Sequence, residues 1–356
     1  MSSELLISNF SQPFGYISIV KENSNRKWLY LLLGTTITVV LLYWALRDVS
    51  FKDVWNALKA AQSGWLFLGW IAYLASYCVR ALRWGTLLAG HCNPGRFKIR
   101  LAGIFIGYAA NSVFPAQAGE FIRPAILSRF DRVAFAPAFG SVFVERLLDI
   151  GVVLVFLLIP LWIGAVPKDS GINGFSIGLL AAALVIVWLT CLITASFPEK
   201  MARLAGIVSQ KIGLGHFQLK IESSFLRFMG GLSALRQPNR SIIALIETFC
   251  IWGLNGITYW TGLVAFGIAP PGFLGAIFIQ SATALAIALP STPGYIGPFE
   301  AGIRFSLGIY SIPSDTIIAY AIAMRFLMYI TIPIIGLAIA ARLGLSPSDF
   351  TSKKSI

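Results

Sequence analysis

From Thr248 to Phe299 the chain runs for 52 residues without a charged side chain. A helix rises about 1.5 Å per residue and a bilayer's hydrocarbon core is ~30 Å thick, so roughly 20 apolar residues cross it once. This run is too long for a single crossing and has to hold more than one membrane segment. Other uncharged stretches, at 28–46, 60–79 and 170–198, repeat the pattern. Composition agrees: 57% of residues are hydrophobic and 12% are charged, where a soluble domain carries about 25%. The expectation is an all-α polytopic membrane protein.

A net charge of +13 raises the question of nucleic acid, but in a membrane protein the placement of Lys and Arg reports orientation. Lys21, Arg26 and Lys27 precede the first span, and Arg80, Arg83, Arg96, Lys98 and Arg100 follow the second. The segment 198–240 and the end of the chain add more, whereas the loop 166–174 carries Lys168 alone. Both termini are therefore expected inside, in the cytoplasmic membrane, with no nucleic-acid partner. The first apolar run ends in Arg47-Asp48, not in the small residues of a cleavage site, and is read as a span. Cys78, Cys191 and Cys250 fall in apolar runs and Cys92 in a loop; with two histidines in the chain, no metal-ligand spacing appears. Buried thiols are expected, and neither a metal nor a cofactor.

Six full spans are predicted, at about 28–46, 64–84, 140–164, 175–196, 241–267 and 315–343. They belong to one transmembrane domain, 28–343, between tails at 1–27 and 344–356, with a cytoplasmic surface segment at 198–240. Two regions are left over. From Leu101 to Val113 is too short to cross, and Pro115 and Gly119 then break the helix before Arg123, Arg129 and Arg132. A re-entrant hairpin from the inside satisfies both facts. Likewise Phe273–Leu289 descends from outside, "PSTPG" with Pro293 and Gly294 turns, and Phe299–Tyr310 returns past Gly297. Irregular backbone at membrane depth is tolerated only where protein buries it or where it lines a watery cavity, so the two breaks should share an interior. The order span, hairpin, span then occurs at 64–164 and again at 241–343 with opposite starting sides, the pattern of an inverted repeat. Glu120 and Arg146 in one half and Glu300 and Arg325 in the other stand at nearly equal spacing.

Charges at bilayer depth cost about 2.5–3.5 kcal/mol each on insertion scales and seek a partner or a cavity. The candidates are Glu120, Arg123, Glu145, Arg146, Asp149, Glu300, Arg304 and Arg325. Helical spacing would pair Glu120 with Arg123 and Glu300 with Arg304. Arg325, alone in "AIAMRFLMYI", needs a tertiary partner such as Asp149 or a hairpin glutamate. Any one pair could simply lock the bundle, but locking does not explain two broken helices with acids beside the breaks. Arginines suited to phosphate and glutamates suited to amine, hydroxyl or proton chemistry would line a transport site.

The ordered motifs Asn111, Pro115, Gly119, Glu120, Arg123; then "ERLLD" from Glu145; then "PSTPGYIGPFEAG" from Pro290; then "RFLMYITIPIIG" from Arg325, with "RALRW" at Arg80, resemble the flippase-like transmembrane domain of lysylphosphatidylglycerol synthases. The resemblance covers roughly 28–343. It implies movement of a membrane lipid, with contacts from Arg123, Arg146, Arg304 and Arg325 and carboxylates Glu120, Asp149 and Glu300. The chain stops at 356, so the lysyl-transfer domain and its activity are not expected. Gln117 stands where the family often has Arg, which points to a different headgroup. Two other readings stay open: a non-transporting accessory or scaffold partnering a lipid-biosynthetic enzyme in a glycolipid pathway, and an intramembrane lipid transferase.

Overall fold

The computed structural model describes residues 35–36, 38–89, 92–114, 117–167, 237–269, 271–288 and 293–345, with scattered positions between 178 and 207. The N-terminal tail, the C-terminal tail beyond Leu345, Pro115, Cys191, the start of the first predicted span, most of the 175–196 span and most of the 198–240 segment lie outside the described residues.

The described elements are helical. Residues 38–46 form the end of the first predicted span. Helix α1 (Phe51–Ala60) follows, its N-terminus capped by the Ser50 hydroxyl accepting from the Asp53 amide. It buries Val54 and exposes Phe51 and Trp55, the amphipathic character expected of an interfacial helix. Then come α2 (Ser63–Leu88), α3 (Phe97–Val113), α4 (Gly119–Asp131) and α5 (Phe135–Trp162). The second group is α6 (Pro238–Ala265), α7 (Gly272–Ile287), a short 3-10 turn (Pro293–Tyr295), α8 (Pro298–Gly308), and α9 (Ser314–Arg325) continuing through a π turn (Phe326–Ile330) into α10 (Thr331–Arg342). Pro333 lacks the amide that would close an ordinary helical turn, which accounts for the wide turn ahead of it.

Ser63–Leu88, Pro238–Ala265 and Ser314–Arg342 are long and apolar enough to cross a membrane. Helix α5 has the length, 28 residues, but carries Glu145, Arg146 and Asp149 at its centre. The architecture is that of a polytopic membrane protein. The expectation of buried thiols needs correcting: Cys78 and Cys250 are exposed. A bilayer is as apolar as a protein core, so an apolar neighbourhood in sequence does not mean an inward-facing residue.

Helices α2 and α6 pack side by side and run antiparallel. The amide of Gln62, before α2, donates to Ala265 O at the end of α6 (2.9 Å), while Thr86 near the end of α2 donates to Glu247 near the start of α6 (3.1 Å). Gly69 makes the close approach possible, since a Cβ there would lie 2.5 Å from Thr261 Oγ1.

That antiparallel pair fixes the two ends of the bundle, and a helical hairpin enters from each. At the base of α3–α4, Arg96 reaches across to Asp131 (Nε to Oδ1, 2.7 Å) and to Phe130 O (3.1 Å), beside the end of α2. Near its tip a Cβ on Gly119 would come within 1.9 Å of Gly107 O, so only glycine fits. Helices α7 and α8 begin and end at the opposite end, where Gly275 lies against Tyr310, and they cross closely at Gly302 and Thr283. The 3-10 turn at the second tip packs on α3, and Gly294 faces Ser112 O near the first tip. The core between these elements is aromatic, with Trp84, Tyr77, Phe299 and Tyr320 fully buried and Tyr77 stacked on Phe105 at 4.9 Å.

Candidate functional site

Each returning helix of a hairpin begins with an acid. Glu120 and Glu300 both occupy the first turn, of α4 and α8, where unpaired amides and the helix dipole favour negative charge. Each then finds an arginine on the next helix. Glu120 Oε1 accepts from Arg146 Nη2 of α5 at 2.8 Å, and Glu300 Oε1 accepts from Arg325 Nε of α9. The partners are 26 and 25 residues apart in the chain.

In the first half this pair opens a continuous network. Arg123 reaches Glu145 Oε2 at 2.7 Å and Glu120 at 3.6 Å, with its guanidinium 4.8 Å from the Trp84 ring centre. Trp84 is held in turn by Ser141 (2.9 Å). Arg83 grips Asp149 through both oxygens (2.7 and 3.3 Å) and donates to Thr248 (3.0 Å). Trp252 of α6 donates to the same carboxylate at 2.9 Å, and Arg146 faces it at 3.8 Å. Three acids and three arginines from α2, α4 and α5 thus neutralise one another. Burying unpaired charges would be costly, and pairing with good geometry is what offsets the desolvation. Asn111 stands beside them as a support, accepting from the Gly119 amide at 2.7 Å.

The network is not sealed. Arg146 keeps 38% of its side chain accessible and Glu120 15%. Arg146 lies near the middle of α5 on a stripe with Phe143 and Ile150, both exposed on the flank of the bundle.

The second half uses its charges differently. Arg325 spends Nη1 on Gly294 O (2.9 Å) and Nη2 on Tyr295 O (3.2 Å), while Glu300 Oε2 caps the Gly297 amide (2.8 Å). Gly294 and Gly297 have φ of 78° and 93°, so the turn containing Pro293 needs glycine and is stapled by the Arg325–Glu300 pair. Arg304 is a correction: its sequence neighbour Glu300 is taken, and it turns instead to Ala45 O, Asp48 (3.1 Å) and the Trp44 ring. It ties the hairpin to the first span, some distance from the network.

Arg80 and Arg83 also depart from expectation. Counted with the basic cluster after the second span, they lie within α2, which continues to Leu88 and buries both, Arg83 at 1% exposure. The apolar "WGTLLAG" after Arg83 is the signal that the helix goes on. Between the halves, Tyr295 lies within electrostatic reach of Arg146 and Glu120, and Tyr108 within reach of Arg80, Arg123 and Arg146.

A UPF0104 membrane protein of Pyrococcus horikoshii is 23% identical to this chain over 299 residues, 77% of this chain and 84% of the relative. A UPF0104 membrane protein of Methanocaldococcus jannaschii is 24% identical over 229 residues, 64% and 90%. The glycosyltransferase AglD of Haloferax volcanii is 23% identical over 297 residues, 76% of this chain but 47% of its own length. No solved structure matches the chain. The family model of the lysylphosphatidylglycerol synthase TM region matches residues 31–336, a span that takes in both hairpins, the charged α5 and the stapled second tip, and the chain belongs to that family.

Proposed function

We propose that this protein moves a lipid across the cytoplasmic membrane, as a flippase-like carrier working by alternating access. In this reading the two hairpins are re-entrant, their tips meet at mid-membrane, and the halves 64–164 and 241–343 are an inverted repeat. One observation carries it: a paired charge network beside the hairpin tips in which Arg146 keeps 38% of its side chain accessible. A structural lock needs no such access, whereas a headgroup travelling between leaflets does. The matched pairs Glu120–Arg146 and Glu300–Arg325 support the repeat, and the basic segments support termini on the cytoplasmic side. The test is translocation of fluorescent phosphatidylglycerol, phosphatidylethanolamine and a glycolipid in proteoliposomes, with wild type beside Glu120→Gln and Glu300→Gln at equal folded amounts. Movement by wild type that either substitution abolishes is expected. Folded wild type that moves no lipid across a broad headgroup panel would sink the reading.

A second reading has one observation in its favour. The relative AglD is named a glycosyltransferase, and this chain aligns with about half of it. A membrane domain of this family would then serve as the accessory or scaffold of a glycolipid-assembling enzyme. Under it, Glu120→Gln leaves lipid assembly in cells intact as long as the protein folds.

A further inference from the structure

Among the described residues one buried guanidinium, that of Arg80, has neither a hydrogen bond nor an ion pair. The three acids of the network, Glu120, Glu145 and Asp149, are matched by Arg83, Arg123 and Arg146. Arg80, one turn before Arg83 on α2, is 9% exposed and its Nε is buried without a hydrogen-bond partner. Among the described residues it makes no hydrogen bond and no ion pair. Asp149 attracts it, but that carboxylate is already bonded by Arg83 and Trp252. Glu247 bonds Thr86, and its charged neighbours are Arg83 and Glu145. The tip residues outside the described set, Pro115, Ala116 and those at 289–292, include no acid.

Around Arg80 the chain has placed phenols. Its guanidinium lies 5.8 Å from the Tyr77 ring centre and 5.6 Å from that of Tyr108. Tyr73 and Tyr77 share a hydroxyl hydrogen bond at 3.1 Å, leaving one proton free to donate onward. An arginine lying over phenol rings, and bonded to no carboxylate among the described residues, has its donors free for an oxyanion. A buried cation that must share a carboxylate already bonded elsewhere is costly, and an arriving anion lowers that cost.

We infer that Arg80, with the hydroxyls of Tyr73, Tyr77 and Tyr108, binds one phosphate group inside the bundle. This deepens the transport reading by naming the substrate class: a lipid whose headgroup carries a phosphate, engaged by Arg80 and not by the saturated Arg304 and Arg325. It rests on that reading for the source of the phosphate, though not for the binding itself.

Equilibrium binding to the purified protein in nanodiscs tests it, with short-chain phosphatidic acid, the matching diacylglycerol and inorganic phosphate as probes. Wild type is expected to bind phosphatidic acid and not the diacylglycerol, and Arg80→Gln to weaken binding about tenfold, as loss of a charge-assisted hydrogen bond would. The ligand-free variant should melt no lower than wild type, because an unpaired charge has been removed. Arg80→Lys serves if glutamine at this depth prevents folding: a point charge in place of the planar fork should bind several-fold more weakly. Binding of inorganic phosphate alone would support a site for the free ion, and binding of phosphatidic acid alone a headgroup site. Affinity unchanged in the folded variants, or a ligand-free melting point lowered as far as in Asp149→Asn, would overturn the assignment. Phosphate binding that survives alongside absent translocation would sink the transport reading and leave this one standing.

Discussion

Asp149 is the residue on which most of the buried network converges: Arg83 holds both its oxygens, Trp252 donates to one, and Arg146 faces the other. Replacing it with Asn keeps the shape and removes the charge, leaving Arg83 buried beside a neutral amide. Breaking a buried pair in this way costs about 3–5 kcal/mol, which should appear in chemical denaturation of the purified protein. A loss below ~1 kcal/mol would mean that water or Glu145 compensates. At this scale the sequence was informative about acids and poor about their partners. Glu120 and Glu300 stand out because each follows a helix break, a place where a negative charge is favoured. Arg83 did not stand out, because a basic residue near the end of an apolar run looks like a loop charge until the helix is known to continue.

The hairpins show what an arginine can do at the level of an element. Arg325 binds Glu300 and two carbonyls of the turn, so every arm of its guanidinium goes to holding the tip in place. Arg325→Gln is therefore expected to loosen Pro293–Tyr295 locally: hydrogen exchange at Gly294 and Tyr295 should rise by about a factor of ten or more, with α2 and α6 unchanged. Unaltered exchange there would show the glycines and packing alone sufficient. Both breaks were legible because Pro and Gly cluster there, Pro115 with Gly119 and Pro290 with Pro293, Gly294 and Gly297, whereas the single prolines Pro124 and Pro160 stay inside helices. The division of labour between the halves was not. Helical spacing allows Glu300 to meet Arg304, yet the tertiary partner Arg325 wins because it satisfies the acid and the turn carbonyls together.

For the whole molecule, the antiparallel packing of α2 and α6 puts the bases of the two hairpins at opposite ends of the bundle. The proposed topology then predicts labelling from opposite sides. In a cysteine-free background, Asn93→Cys should react with an impermeant maleimide from the cytoplasmic side and Ser311→Cys from the outer side; labelling of both from one side would contradict the opposed hairpins. The sequence by itself determined that the chain is helical and membrane-embedded, roughly where its helices begin and end, and where two of them break. It could do so because hydrophobic length, Pro, Gly and charge act locally, within a few residues of where they stand. Which charges meet, that Arg304 anchors the first span, that Arg80 is bonded to no acid among the described residues, and that the thiols of Cys78 and Cys250 face outward were decided only by tertiary structure. Those outcomes depend on which helix faces lie against each other, and an apolar helix in an apolar solvent carries little in its own sequence to say which face that is.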